Sequence, residues 1–306
     1  MDTCSFSTSS TPCWRSSFPE SLPINKARVP VQFCQSISFA GGNSQSLLGC
    51  RGYQKNCAPV IFCQQNRTSV LYARSIDEVY DALAKRLVPT AAAASNPNLK
   101  YIIGLAGSPG AGKSTLASEV VKRVNKLWPQ KTPSLDSQVK QPDVAIAIPM
   151  DGFHLYRHQL DAMDNPKEAH ARRGAPWTFD PTRLLQCLQA LRSQGSVYVP
   201  SFDHGIGDPV EDDIFVSLQH KVVIVEGNYL LLEEGVWKEV QAIFNEKWFI
   251  EVDIDTAMER VRKRHISTGK PPELAKWRIE YNDRPNAELV NRFKHNADLV
   301  IRSIDF

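Results

Sequence analysis

Gly107, Ser108, Pro109, Gly110, Ala111, Gly112, Lys113 and Ser114 follow one another in the pattern G-x-x-x-x-G-K-S, with Thr115 next. Glycines at this spacing let a backbone turn tightly and present its amide N–H groups to a common hollow, and the positive end of a following helix deepens the same hollow. A lysine and a hydroxyl at the end of the run suit a polyphosphate: Lys113 reaches the β- and γ-phosphates and Ser114 holds Mg²⁺. The apolar run YIIGLAG comes directly before the turn and the amphipathic segment KSTLASEVVKRVNKL directly after it. That strand–turn–helix context separates a phosphate-binding loop from a glycine-rich turn with an incidental lysine. The expected guest is ATP with Mg²⁺. A guanine reader of the Asn-Lys-x-Asp type is missing, because Asn125-Lys126 is followed by Leu127 and Trp128.

A phosphate-binding loop alone leaves switch, motor and kinase open, so the acids and bases downstream carry the distinction. In IPMDGFHLYR an apolar run delivers Asp151 at its C-terminal end, where ligands of an open α/β sheet gather. Phosphoryl transfer to an alcohol calls for a carboxylate that accepts the hydroxyl proton and helps place the metal, and Asp151 is the candidate base. In KVVIVEGNYLLL the buried run ends at Glu226, a second candidate ligand of Mg²⁺ beside Ser114 and Asp151. The stretch ERVRKRHISTGK sets Arg260, Arg262, Lys263, Arg264 and Lys270 along one helix and its exit. An arginine there steadies charge on the transferring phosphoryl group, and Arg264 is favoured, although most charge runs are solvated faces. His154, Arg173, Asp203 and His204 are candidate substrate contacts.

The elements that must position these groups follow from the hydrophobic pattern. YIIGLAG, VAIAIPMD, VYVPSF, KVVIVEG, WFIEVDI and ADLVIRS read as strands. KSTLASEVVKRVNKL, DPTRLLQCLQALRSQG, VWKEVQAIF and DTAMERVRKRH lie between several of them as amphipathic helices. The alternation predicts an α/β fold, a mostly parallel doubly wound sheet with helices on both faces and a helical lid. FDPTRLL carries a start signal, with Asp180 as cap and Pro181 at the first helical position. SIDEVYDALAKRLV, from Ser75, is expected to be the helix at which folded structure begins, with PTAAAASNPN after it as a linker.

Composition divides the 306 residues in two. The first 69 hold six Lys/Arg against two acids, are rich in serine and contain no secretory apolar core, whereas the remainder carries 30 bases and 31 acids. A basic, Ser-rich, acid-poor leader reads as an organelle transit peptide, so residues 1–65 are expected to be a disordered leader for the chloroplast, with the mitochondrion as the alternative, and 70–306 the catalytic domain. A near-neutral body gives no support to a nucleic-acid-binding surface, and no run approaches the about 20 apolar residues of a membrane span. Six of the seven cysteines fall in the leader, and Cys187 sits in an apolar helical pattern as a core residue.

Taken in this order, GSPGAGKST, MDGFH, GAPWTFD, VEGNYLLL, RKRH and NDRPNAELV resemble the phosphoribulokinase/uridine kinase/pantothenate kinase family of P-loop kinases, in particular its uridine kinase-like subgroup in plants and bacteria. The resemblance spans about Lys100 to the ADLVIRS run. It implies an enzyme that moves the γ-phosphate of ATP to a hydroxyl of a small metabolite such as a nucleoside, a sugar or a pantothenate-like compound. It also implies Asp151 as base, Lys113 and Ser114 as nucleotide and metal contacts, Glu226 as second acid and Arg264 as lid arginine, and it admits a homo-oligomer. The Asn282–Val290 stretch resembles the region near the adenine ring. Uridine kinases carry an Asp-His-Pro stretch that helps hold ribose, where this chain has Arg173-Gly174-Ala175-Pro176. The phosphate-binding loop lacks the cysteine through which chloroplast phosphoribulokinase is thiol-regulated. The reading from another class is an ATPase on the same scaffold, acting in protein assembly or chaperoning.

Overall fold

The computed structural model describes residues 61–302 apart from 66–67, 94–95, 97, 132–141 and 204, so the leader up to residue 60 and His204 lie outside the described residues. The chain runs through β1 (Ile61–Gln65), β2 (Thr68–Tyr72), α1 (Ile76–Ala93), β3 (Tyr101–Gly107), α2 (Lys113–Lys131) and β4 (Ala145–Pro149). A 3₁₀ turn over Met150–Phe153 leads to the short helices α3 (Arg157–Asp161) and α4 (Pro166–Ala171), then to α5 (Pro181–Gln194). After the ribbon of β5 (Val197–Asp203) and β6 (Asp208–Val216) come β7 (Val222–Gly227), α6 (Gly235–Ile243), β8 (Glu246–Glu251) and α7 (Ile254–Ser267). Helix α8 (Pro272–Arg278), a π-helical turn over Ile279–Asp283, α9 (Arg284–Arg292) and β9 (Leu299–Arg302) complete the order.

Seven strands form one sheet in the order β1-β2-β9-β8-β3-β7-β4, parallel throughout except for the β1–β2 pair at one edge. Because side chains alternate along a strand, β3 sends Ile102 and Ala106 to one face and Ile103 and Leu105 to the other, and β7 does the same with Val223 and Val225 against Val222 and Ile224. Both faces are buried, which explains why these strands read as continuous apolar runs. Helices α5 and α6 cover the first face through Leu184, Leu188, Leu191 and Val240. Helices α1 and α2 cover the second through Leu83, Leu87, Leu116 and Val120. A separate small core of Ala257, Met258, Val261, Ile279 and Ala287 holds α7 and α9 together as the lid.

Three expectations need correction. Two strands precede α1 and join the sheet edge, so the ordered chain begins before Ser75, and Ile61–Gln65 falls within the stretch assigned to the leader. Ser75 does cap α1, its Oγ accepting from the Glu78 amide at 3.3 Å. The helix then continues through Pro89 to Ala93 where a linker was expected. A proline inside a helix costs on the order of 3 kcal/mol, and the burial of Leu87, Val88 and Ala91 against the sheet offsets it. Finally, β5 stays out of the parallel sheet and pairs antiparallel with β6, its register broken between Val199 and Ser201, where Pro200 has no N–H for the ladder. Strand β6 is mostly exposed, so it lacks the apolar alternation by which a strand is read from sequence. Helix α5 starts as expected, with the Asp180 side chain accepting from the Arg183 amide at 2.9 Å. Cys187 is half-buried against the first core, and burial pushes its thiol up to about 11, leaving it inert at neutral pH.

Candidate active site

Parallel register brings three strand ends together. Leu105 of β3 and Pro149 of β4 both pair with Glu226 of β7, so the loop after β3, the turn after β4 and the last residues of β7 open on one edge of the sheet. The loop folds tightly, the Ala111 amide donating to the Ser108 carbonyl at 3.0 Å. Gly110 sits at φ +80°, and a Cβ there would collide with the Ala257 carbonyl of α7. Lys113 opens α2 and is buried, its Nζ donating to the carbonyls of Gly107 and Ser108, both at 3.0 Å. The first amides of any helix have no partner inside it, so the start of α2 is an anion site by construction.

Ser114, one residue on, donates its hydroxyl to Glu226 Oε1 at 2.8 Å. Asp151 stands in the 3₁₀ turn that follows β4, and with Ser114 and Glu226 it lines a cavity of about 320 Å³ that Ser201 and Phe202 of β5 line as well. Ser201 and Phe202 escaped sequence reading, because nothing in VYVPSF marks the end of that strand as facing Asp151. The charges are close enough to feel one another. Burial brings the Lys113 ammonium down to about 8 against the pull of Glu226 and Asp151, and Arg264 lowers it further. Burial also pushes the Glu226 carboxyl above its usual range; Lys113 opposes that shift and Asp151 adds to it.

Two carboxylates and a hydroxyl around one cavity are hard oxygen donors, the chemistry Mg²⁺ accepts. Among the described residues no cluster of three or more His, Cys, Asp or Glu side chains forms a complete metal cage. The donor set therefore fits a cation shared with phosphate oxygens and water, the usual habit of Mg²⁺.

Of the basic run, Arg260 points at the loop, whereas Arg262 and Lys263 pair with Glu259. Ala257 and Val261 of α7 touch the loop at Gly110, and Arg260 Nη1 points at the Gly110 carbonyl at 3.5 Å. One helical turn later, Arg264 is exposed and near enough to act on Lys113. Ser108 donates to Asn291 of α9 at 3.2 Å, which ties α9, one residue past the Asn282–Val290 stretch, to the loop.

The candidate substrate contacts fare differently. His154 stacks on Phe179 at 3.9 Å and Phe202 at 4.7 Å, and its Nδ1 lies 2.8 Å from the Asp151 carbonyl, a packing position behind the cavity wall. Asp203 organises the ribbon's turn, accepting from the amides of Gly205 at 2.7 Å and Ile206 at 3.1 Å. Arg173 bonds to Leu155, Gly207 and Asp208 rather than opening into the cavity.

The sequence profile of the Phosphoribulokinase / Uridine kinase family matches residues 102–305. A candidate uridine kinase of Schizosaccharomyces pombe is 35% identical over 234 residues, 75% of this chain and 91% of that protein. An ATP-dependent kinase-like protein of Aspergillus versicolor is 42% identical over 148 residues, 46% of this chain and 86% of that protein. The crystal structure of a candidate fructose transport system kinase from Silicibacter superposes with a TM-score of 0.61 at 29% identity, covering 72% of this chain and 98% of that one. The Saccharomyces cerevisiae P-loop kinase YFH7 shares the fold at 22% identity, with a TM-score of 0.61 over 75% of this chain and 99% of that one.

Proposed function

This chain belongs to the phosphoribulokinase/uridine kinase family of P-loop kinases, and from that premise we propose that it transfers the γ-phosphoryl group of ATP to a hydroxyl of a small metabolite, a nucleoside, sugar or pantothenate-like alcohol. The observation that carries this reading is the meeting of Asp151 with the Ser114–Glu226 pair around one cavity at the mouth of α2. The loop amides and Lys113 hold the phosphate tail. Asp151 accepts the proton of the acceptor hydroxyl as its oxygen bonds to the γ-phosphorus and the bond from that phosphorus to the bridging oxygen breaks, releasing ADP. Ser114, Glu226 and Asp151 would hold Mg²⁺, which when bound offsets charge on the β- and γ-oxygens. Arg260, whose Nη1 points at the Gly110 carbonyl, and Arg264, near enough to act on Lys113, would offset that charge from α7.

The test supplies the full chain with Mg-ATP and a panel of nucleosides, sugars and vitamin alcohols, and follows ADP release. Acceptor-dependent release is expected, and Asp151→Asn lowers it by about 10²–10⁴-fold while ATP affinity holds. ADP release indifferent to every acceptor and stimulated by a protein partner would replace this reading with an ATPase. Acceptor turnover unchanged in Asp151→Asn would remove the base.

A further inference from the structure

Arg173 replaces, at the head of Arg173-Gly174-Ala175-Pro176, a stretch that the resemblance associated with ribose, and the fold commits its guanidinium elsewhere. Its Nη2 donates to the Leu155 carbonyl at 2.8 Å and to Asp208 Oδ1 at 3.0 Å, and its Nη1 donates to the Gly207 carbonyl. The side chain is only 14% exposed, and the guanidinium carbon lies 5.6 Å from the centre of the Phe202 ring. Leu155 belongs to the segment that leaves the Asp151 turn, whereas Gly207 ends the ribbon's turn and Asp208 begins its second strand. One planar fork therefore joins the base-carrying turn to the ribbon whose first strand supplies Ser201 and Phe202 to the cavity.

A second contact fixes the same pair of elements from the other side. Gly152, next to Asp151, lies so close to the Pro200 carbonyl that a Cβ would not fit. Close backbone approach at Gly152 sets the distance between turn and ribbon. The Arg157 amide donates to Asp208 Oδ1 at 2.9 Å, and Tyr156 and Arg183 donate to Glu211 farther along the second strand. Arg173 adds a fork that bonds Leu155 and the ribbon's turn at once. Its own carbonyl accepts from Asn282 Nδ2 at 3.0 Å, and Arg172 Nη1 donates to the Tyr281 carbonyl at 2.9 Å, so the fork is itself anchored on the π-helical turn beneath the lid. An arginine suits this place because its donors lie in one rigid plane and stay charged at every accessible pH.

We propose that Arg173 is a positioning residue that sets the shape of the acceptor cavity by clamping Ser201 and Phe202 of the β5–β6 ribbon in front of Asp151. The proposal rests on the reading of that cavity as the acceptor's place. It predicts that acceptor recognition, and not nucleotide binding, depends on Arg173.

The experiment compares the full chain with its Arg173→Ala, Arg173→Lys and Asp208→Asn variants and the Arg173→Ala/Asp208→Asn double variant. Hydrogen exchange is expected to quicken about tenfold over residues 197–216 in Arg173→Ala and to stay unchanged over 222–227, because the charge-assisted bonds that are lost reach the ribbon and Leu155 but no residue of β7. Affinity for a fluorescent ATP analogue stays as in the parent chain. With an acceptor turned over by the parent, KM for that acceptor rises about tenfold while kcat moves less, and the double variant is less impaired than the product of the single effects. Arg173→Lys recovers only part of the loss, since an ammonium cannot reproduce the planar fork. Ribbon exchange that stays at the parental rate in Arg173→Ala overturns the proposal, as does a raised KM for ATP with the acceptor KM untouched. Should Arg173→Ala fail to fold, Arg173→Lys and Asp208→Asn are read against the same two criteria. If the parent turns over no acceptor, the proposed function falls by itself, and the exchange result still decides whether Arg173 holds the ribbon.

Discussion

Ser114 and Glu226, 112 positions apart in the chain, are joined by a hydrogen bond of 2.8 Å. The bond closes the gap between the first turn of α2 and the end of β7, and it places the hydroxyl and the carboxylate on one side of the cavity with Asp151. A carboxyl raised by burial and by a second acid nearby is costly to keep in an empty site. Lys113 and the Ser114 hydroxyl offset part of that charge in the structure.

Replacing that carboxyl separates stability from activity. An acid whose folded pKa is raised contributes stability that fades as pH rises through that value, so near neutrality Glu226→Gln relieves a burden. The free variant is expected to keep or gain thermal stability, while its Mg²⁺ requirement for turnover shifts upward by about 10–100-fold. Melting curves of the free chain and Mg²⁺ titrations of ADP release check both. A lower melting temperature with an unaltered Mg²⁺ dependence would refute the role.

The Lys113 ammonium titrates near 8 in the folded chain against 10.5 in the unfolded one. Between those values the unfolded chain holds more protons, so the stability contribution of this group rises with pH across that window. Phosphate binding has the opposite sign, because it needs the proton. Nucleotide affinity without metal is expected to be level below about pH 7 and to fall as pH rises through 8, by up to about tenfold per unit. Equilibrium titration with a fluorescent ATP analogue reads the slope, and Lys113→Met flattens it.

Gly110→Ala tests the contact between the loop and α7. A left-handed φ costs an L-residue about 1–3 kcal/mol, and the added methyl meets the Ala257 carbonyl. The expected result is a folded protein whose ATP affinity is down by about tenfold or more. Unchanged affinity would show that α7 need not lie against the loop.

Residues 1–60, the segment ahead of β1, are proposed to act as a plastid address, on their basic, Ser-rich and acid-poor composition. Fused ahead of a fluorescent protein in plant cells, they are expected to bring it into chloroplasts. A mitochondrial pattern selects the other organelle, and a diffuse one removes the address.

Short-range features were legible because their geometry is local. The phosphate-binding loop, the strand ahead of it and the cap of α5 are each specified within about one turn of chain, and the structure reproduces them. Where an apolar run ended in an acid, as at Asp151 and Glu226, the strand end was legible too. The ribbon was not: β6 is polar and exposed, and β5 carries a proline at its break in register. Helix α1 passed its expected end because tertiary burial outweighed the proline.

By itself, then, the sequence determined that a glycine-rich loop joins a strand end to a helix start in a mostly parallel sheet, since backbone freedom, charge and apolar period are written residue by residue. Only the tertiary structure decided that Glu226 reaches Ser114, that Arg260 rather than Arg262 faces the loop, and that Arg173 grips the ribbon. Those outcomes depend on strand register, helix phase and loop closure over separations of dozens of residues, and no local pattern encodes which of several like side chains will end up pointing at another.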